Sequence, residues 1–191
     1  MDGTIEILAV GFNVGYIILA TRGNVWCWPL GILGSLLSIW LFINGKIYAE
    51  AILFVYYVIM GFYGWSQWSK QRSADDDLKI VEWNLIKHIL LIMGGYFATA
   101  ALYLVLKTFT DAEMPLLDSF TTVFSFIATW LTAKRHIENW VYWIGINALT
   151  VYLYSSRDFQ LYAILSVVYT VMAIYGIYNW TKTLKTQKAA Q

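Results

Sequence analysis

The chain has 191 residues, 59% of them hydrophobic and 13% charged, whereas an ordinary soluble domain is roughly half apolar and about a quarter charged. Charges are missing from long stretches, and about 18 or more apolar residues suffice to cross a hydrocarbon core of roughly 30 Å, so the composition excludes a soluble domain and points to an integral membrane protein. A formal net charge of +1 provides no field for nucleic acid, the single Cys27 excludes an internal disulfide, and two histidines in helix-flanking positions leave no expected metal or cofactor site.

Hydropathy predicts seven spans, over 4–21, 25–43, 48–68, 83–107, 116–134, 138–156 and 159–180. Runs this long and this continuously apolar are helices, because backbone groups in lipid must be satisfied within the segment and barrel strands would be about ten residues of alternating polarity. The amino terminus, MDGTIEILAV, is acidic where a secretory signal is basic, so no removed segment is expected. The second span, NVWCWPLGILGSLLSIWLF, carries Trp26, Trp28, Pro29, Gly31 and Gly34. Its proline is expected to disturb the helix near one end, and its glycines to permit close approach. Tyr57 comes near the centre of the third span, and SADDDLK at 73–79 reads as a solvated loop before the fourth. The fifth span has Ser125 and Thr129 four apart. In the sixth, ENWVYWIGINALTVYLYSS, Asn139, Trp143 and Asn147 recur every four residues and so share one face. Tyr169 is central in the seventh. Trp26, Trp65, Trp68 and Trp180 read as an interfacial aromatic belt.

The segment AILFVYYVIMGFYGWSQW at 51–68 returns as AILSVVYTVMAIYGIYNW at 163–180, with nine of eighteen positions identical and no gap. Upstream, a three-residue indel aligns Asn24 with Asn139 and Trp28 with Trp143. The repeat predicts one membrane domain over 1–191, made of two three-helix units at 4–68 and 116–180 with a connector helix at 83–107. Unit starts are separated by an even number of spans, so the units are parallel repeats, as in small sugar uniporters of the SWEET type. Two such bundles facing each other create a central path, and transporter sites lie near the midplane of such an interface.

Three of the thirteen Lys and Arg residues, Lys46, Lys107 and Arg157, fall on the amino-terminal side and the other ten on the opposite side. The positive-inside rule then sets the amino terminus outside and the carboxyl terminus in the cytoplasm.

An amide near the centre of a span must face protein or a cavity, and a buried phenol needs a partner. Asn147, Trp143, Tyr57, Tyr169, Ser125, Thr129 and Trp28 therefore form the candidate lining, with aromatic faces and neutral hydrogen-bonding groups. Glu6, Glu50, Lys87, His88, Asp118 and Glu138 all fall toward span ends. A lining free of charge suits a flat aromatic ligand with delocalised positive charge, held by stacking and cation–π attraction. It argues for facilitated diffusion rather than ion coupling, which places ionisable groups in the membrane. No nucleophile, base or metal cluster gathers there, so an enzyme is not expected.

WPLGI in the second span, YGWSQW closing the third, AKRHIENWVYWIGIN entering the sixth and YGIYNW closing the seventh resemble the PnuC family of bacterial vitamin transporters, across nearly the whole chain. The resemblance implies a three-plus-one-plus-three helix core, a homotrimer in the bacterial inner membrane, and uniport of nicotinamide riboside in the typical member, with thiamine in close relatives. Both ligands are aromatic cations. It also implies binding roles for Trp28, Trp143 and Asn147, with Asn24 and Asn139 at the repeated motif, and a soluble kinase that phosphorylates the entering vitamin. Thr129 stands where nicotinamide riboside members can carry a Gln. Nicotinamide riboside ranks slightly ahead of thiamine, and a membrane sensor that binds the vitamin without moving it is the reading outside transport.

Overall fold

Each of the seven apolar stretches forms an α-helix in a computed structural model of the chain, which describes residues 3–44, 48–72 and 79–189. They are α1 (Gly3–Thr21), α2 (Cys27–Asn44), α3 (Tyr48–Arg72), α4 (Leu85–Phe109), α5 (Pro115–Ala133), α6 (Asn139–Ser155) and α7 (Gln160–Ala189). Of the loop expected at 73–79, all but Lys79 lies outside the described residues. Five helices, α1, α2, α4, α5 and α7, are long and apolar enough to cross a membrane. The other two are α3, whose many Tyr and Trp side chains are amphipathic and whose last turns are polar, and α6, which has 17 residues with two Asn among them. α7 continues to Ala189, well past the predicted end, and carries Lys182, Lys185 and Lys188 on this extension.

Local chemistry sets the helix ends. Asn84 caps α4, its side chain accepting from the Lys87 backbone N–H at 3.1 Å. Pro115 opens α5, and Pro29 sits in the first turn of α2, where a proline costs no intrahelical bond. It begins the helix there rather than disturbing it. Three tight connections share one device: Gly23, Arg135 and Asp158 adopt positive φ of 65°, 62° and 60°. In each, the next N–H reaches back five residues to a helix carbonyl, Asn24 to Leu19 at 2.9 Å, His136 to Leu131 at 3.0 Å and Phe159 to Tyr154 at 3.0 Å. These are left-handed helix caps that reverse the chain at once.

The reversals place successive helices side by side, and the packing order α1, α2, α3, α5, α6, α7 closes on α1 as a six-helix ring. α4 lies outside the ring against α5, and its Ile86, Leu90, Phe97 and Leu104 are exposed, as lipid-facing side chains would be. Glycines permit the closest approaches. A Cβ on Gly31 would stand 2.8 Å from the Tyr16 ring, and one on Gly34 would stand 2.7 Å from Asn13 Oδ1.

Aromatic side chains close both ends of the ring. At the end where α2 and α6 begin, Trp28 packs edge-on against Trp68 at 5.3 Å and 86°, and Trp140 edge-on against Trp180 at 5.3 Å and 84°. At the other end Phe42, Phe54, Tyr154, Phe159 and Tyr162 pack together. Trp68 and Trp180 are thus buried core residues, 1% and 2% exposed, rather than members of an interfacial belt, whereas Trp26 and Trp65 are exposed as a belt requires.

The tryptophan end also corrects the alignment of the repeated segments. Trp28 lies on Gly64, and Trp140 lies on Gly176. Residues 28, 64 and 68 correspond to 140, 176 and 180 at one constant spacing of 112 residues, so Trp28 matches Trp140, not Trp143, and no indel is needed.

Candidate functional site

Between the two aromatic ends lies a cavity lined by side chains from all six ring helices and none from α4. Seven of the nine residues expected at the site reach it: Trp28, Tyr57, Ser125, Thr129, Trp143, Asn147 and Tyr169.

Asn24 and Asn139 are not among its lining residues. Asn24 belongs to the turn between α1 and α2, where its Oδ1 accepts from the Trp26 N–H at 3.0 Å. Asn139 is fully buried beneath the site. Its amide donates to the His136 carbonyl at 2.7 Å, and its Oδ1 lies 3.0 Å from Thr132 Oγ1. Thr132 in turn accepts from the Trp143 indole N–H at 3.1 Å. Asn139 therefore holds Trp143 in place through Thr132.

Trp143 turns its ring toward Tyr57, with centroids 6.4 Å apart. Two phenols deep in the ring are anchored across helix junctions. Tyr169 on α7 donates to the Asn13 carbonyl of α1 at 3.1 Å, and Tyr57 on α3 meets the Ser125 hydroxyl of α5. Those positions again differ by 112, Tyr57 from Tyr169 and Asn13 from Ser125. Thr129 donates to the Ser125 carbonyl within its own helix at 2.7 Å, which leaves its methyl and oxygen lone pairs to the cavity.

Several polar atoms on the lining lack protein partners. Among the described residues, Asn13 Nδ2, Trp28 Nε1 and Trp140 Nε1 are buried donors with no acceptor, and no protein group hydrogen-bonds the Asn147 side-chain amide, 4% exposed on the wall. A buried unsatisfied donor costs about 1–3 kcal/mol. Asn13 had the same signal as Asn147, an amide inside an apolar run, and the sequence reading passed over it. Trp140 was hidden by the misplaced indel.

Glu50 departs from the expected uncharged lining. It sits in the first turn of α3, near the span end as expected, yet it is 1% exposed and belongs to the cavity wall. Tyr154 donates to its Oε2 at 2.9 Å. Position along the helix says nothing about which way a side chain points, and here it points inward. Among the described residues, no Lys, Arg or His lines the cavity. Just beyond, Arg157 in the turn between α6 and α7 pairs with Asp118 at 2.8 Å. Burial works against the Arg157 charge, but the hydrogen bond and charge of Asp118 outweigh it and hold the guanidinium above its ordinary range.

The model of the nicotinamide mononucleotide transporter family matches residues 3–182. The chain belongs to the nicotinamide mononucleotide transporter family. Within it, the nicotinamide riboside transporter PnuC of Neisseria mucosa is 24% identical over 195 residues, covering 96% of this chain and 74% of that protein. Its namesake in Escherichia coli is 22% identical over 206 residues, covering 94% and 86%. The riboflavin/roseoflavin transporter RibM of Streptomyces davaonensis is 23% identical over 179 residues, covering 90% and 82%. The crystal structure of the vitamin B3 transporter PnuC shares the fold, with a TM-score of 0.84 at 24% identity over 97% of this chain and 83% of that one. Family membership makes this a multi-pass membrane transporter.

Proposed function

We propose that the protein carries a small aromatic B vitamin across the membrane by facilitated diffusion, with nicotinamide riboside ahead of thiamine as the substrate. The observation that carries this reading is the cavity, walled by Trp28, Tyr57, Trp140, Trp143 and Tyr169, with hydrogen-bond donors on Asn13, Asn147, Trp28 and Trp140. Aromatic walls stack any flat ring, and the donors meet the carbonyl and hydroxyl oxygens of a nucleoside. The Neisseria and Escherichia relatives are nicotinamide riboside transporters, which supports the ranking. A cavity without Lys or Arg is poorly suited to a phosphate, so the riboside rather than its nucleotide is the form carried.

The constant spacing of 112 between paired residues supports two parallel three-helix repeats, 4–68 and 116–180, with α4 as connector. The excess of Lys and Arg on the tryptophan side supports a cytoplasmic location for that end, with the amino terminus outside. A homotrimer in a bacterial inner membrane, and a soluble kinase that traps the vitamin as its phosphate, complete the proposal. The chain's part is passage rather than catalysis, and the kinase supplies the chemistry that keeps the gradient.

Calorimetric titration of the purified protein with nicotinamide riboside, thiamine and riboflavin tests the reading. Saturable binding of nicotinamide riboside, tighter than that of the other two, is the expected result; binding of none would refute it.

A further inference from the structure

We propose that Glu50 is the countercharge that makes the cavity prefer a cationic ring to its neutral isostere, an inference that rests on the aromatic-vitamin reading above. Among the described residues, Glu50 is the one acidic side chain on the wall, and no Lys, Arg or His lines it. Its carboxylate is 1% exposed, and Tyr154 occupies only Oε2. The nearby guanidinium of Arg157 is committed to Asp118 at 2.8 Å, and no hydrogen bond or ion pair joins it to Glu50 among the described residues. Arg157 is in electrostatic range of Glu50, as are the Tyr57, Tyr154 and Tyr162 phenols and the Asp118 carboxylate, and it is the one cation among them.

A carboxylate held away from water, with only a guanidinium already paired to Asp118 in electrostatic range, is costly, and a wholly neutral side chain of that size would be cheaper in a purely structural role. The cost is offset when a positive charge enters the same space. Tyr57 links Glu50 to the aromatic wall, since its phenol lies within range of Glu50 and its ring faces Trp143. A ring stacked there would therefore feel a quadrupole and a carboxylate together, and both favour a cation. The preference belongs to the charge of the ring and not to its shape.

The test measures binding of matched pairs to the full chain. Nicotinamide riboside is paired with benzamide riboside, in which carbon replaces the charged ring nitrogen; thiamine is paired with 3-deazathiamine. For the pair that binds, the wild-type protein should favour the cation by about tenfold or more. Glu50→Gln keeps an acceptor for Tyr154 and should lower the ratio severalfold, chiefly by weakening the cation, leaving only the preference of the aromatic wall; Glu50→Asp should keep most of the preference. Equal affinity of wild type for a cation and its isostere would overturn the inference without any variant. So would an unchanged ratio in Glu50→Gln, and in both cases the vitamin reading would stand. Binding of riboflavin alone, or of no vitamin, would overturn both.

Discussion

Adding one methyl group at Gly64 or Gly176 tests whether the tryptophan end has the packing described. A Cβ at Gly64 would stand 2.3, 2.4 and 2.5 Å from three ring atoms of Trp28, and one at Gly176 would stand 2.6, 2.7 and 2.9 Å from three ring atoms of Trp140. Carbon atoms rest at about 3.5–4.0 Å, so each indole must retreat by roughly an ångström. Neither can swing aside freely. Trp28 is 2% exposed between Tyr16 and Trp68, and Trp140 is 1% exposed against Trp180. Overpacking of this kind costs about 1–3 kcal/mol, with Gly64→Ala at the upper end because its overlap is deeper. The sign is informative, because Gly→Ala within a helix otherwise stabilises by up to about 1 kcal/mol. Gly94→Ala is the control, since a Cβ there meets nothing within 4 Å. Thermal unfolding in detergent should show both clash variants melting below wild type by several degrees and Gly94→Ala at or above it. Both tryptophans also line the cavity, so affinity for the vitamin should fall in Gly64→Ala and in Gly176→Ala. If Gly64→Ala and Gly176→Ala melt like Gly94→Ala, the indoles do not lie on those glycines and the matched geometry is wrong.

Trp143→Ala should weaken every aromatic vitamin, a cationic ring most, by about 0.5–2 kcal/mol in calorimetry, because the indole face stacks any flat ring and also attracts positive charge. Asn147→Leu should instead discriminate, hurting a ligand that accepts from the amide far more than an analogue without that acceptor; intact affinities with a lower melting temperature would make the amide an interhelical tie. Thr132→Val removes the acceptor for the Trp143 indole and the hydroxyl facing Asn139 while keeping the shape of the side chain, so affinity should fall by about 1 kcal/mol and the melting temperature should fall with it. Tyr169→Phe frees the Asn13 carbonyl and should cost about 1 kcal/mol in thermal stability or ligand affinity, whereas no change in either would assign the phenol to packing alone.

The seven helices were legible because crossing a bilayer demands long apolar runs, and the predicted ends fall within a few residues of those observed except at the carboxyl end of α7. There, Lys182, Lys185 and Lys188 fail any apolar criterion, yet they continue the helix, because leaving the membrane does not oblige a helix to stop. Asn147, Trp143 and the two tyrosines were legible because polar atoms at midspan have few places to go. Asn139 looked equivalent by spacing, but at the first residue of α6 it lies under the wall, where it steadies Trp143 through Thr132. Glu50 was discounted for the opposite reason. Linear position located it at a span end, and only the closure of the ring shows that this end opens into the cavity. Hydropathy carries depth, whereas facing direction comes from the packing of α3 against α2 and α5.

Uptake of labelled nicotinamide riboside into liposomes containing the purified protein tests the central claim most directly. Facilitated diffusion predicts saturable entry that stops when internal and external concentrations are equal, with the same plateau whether or not a proton or sodium gradient is imposed. With Glu50 on the cavity wall this is a sharper test, since an acidic group in the path is what proton coupling would use. Accumulation above the external concentration under an imposed gradient, or saturable binding with no entry at all, would contradict the account.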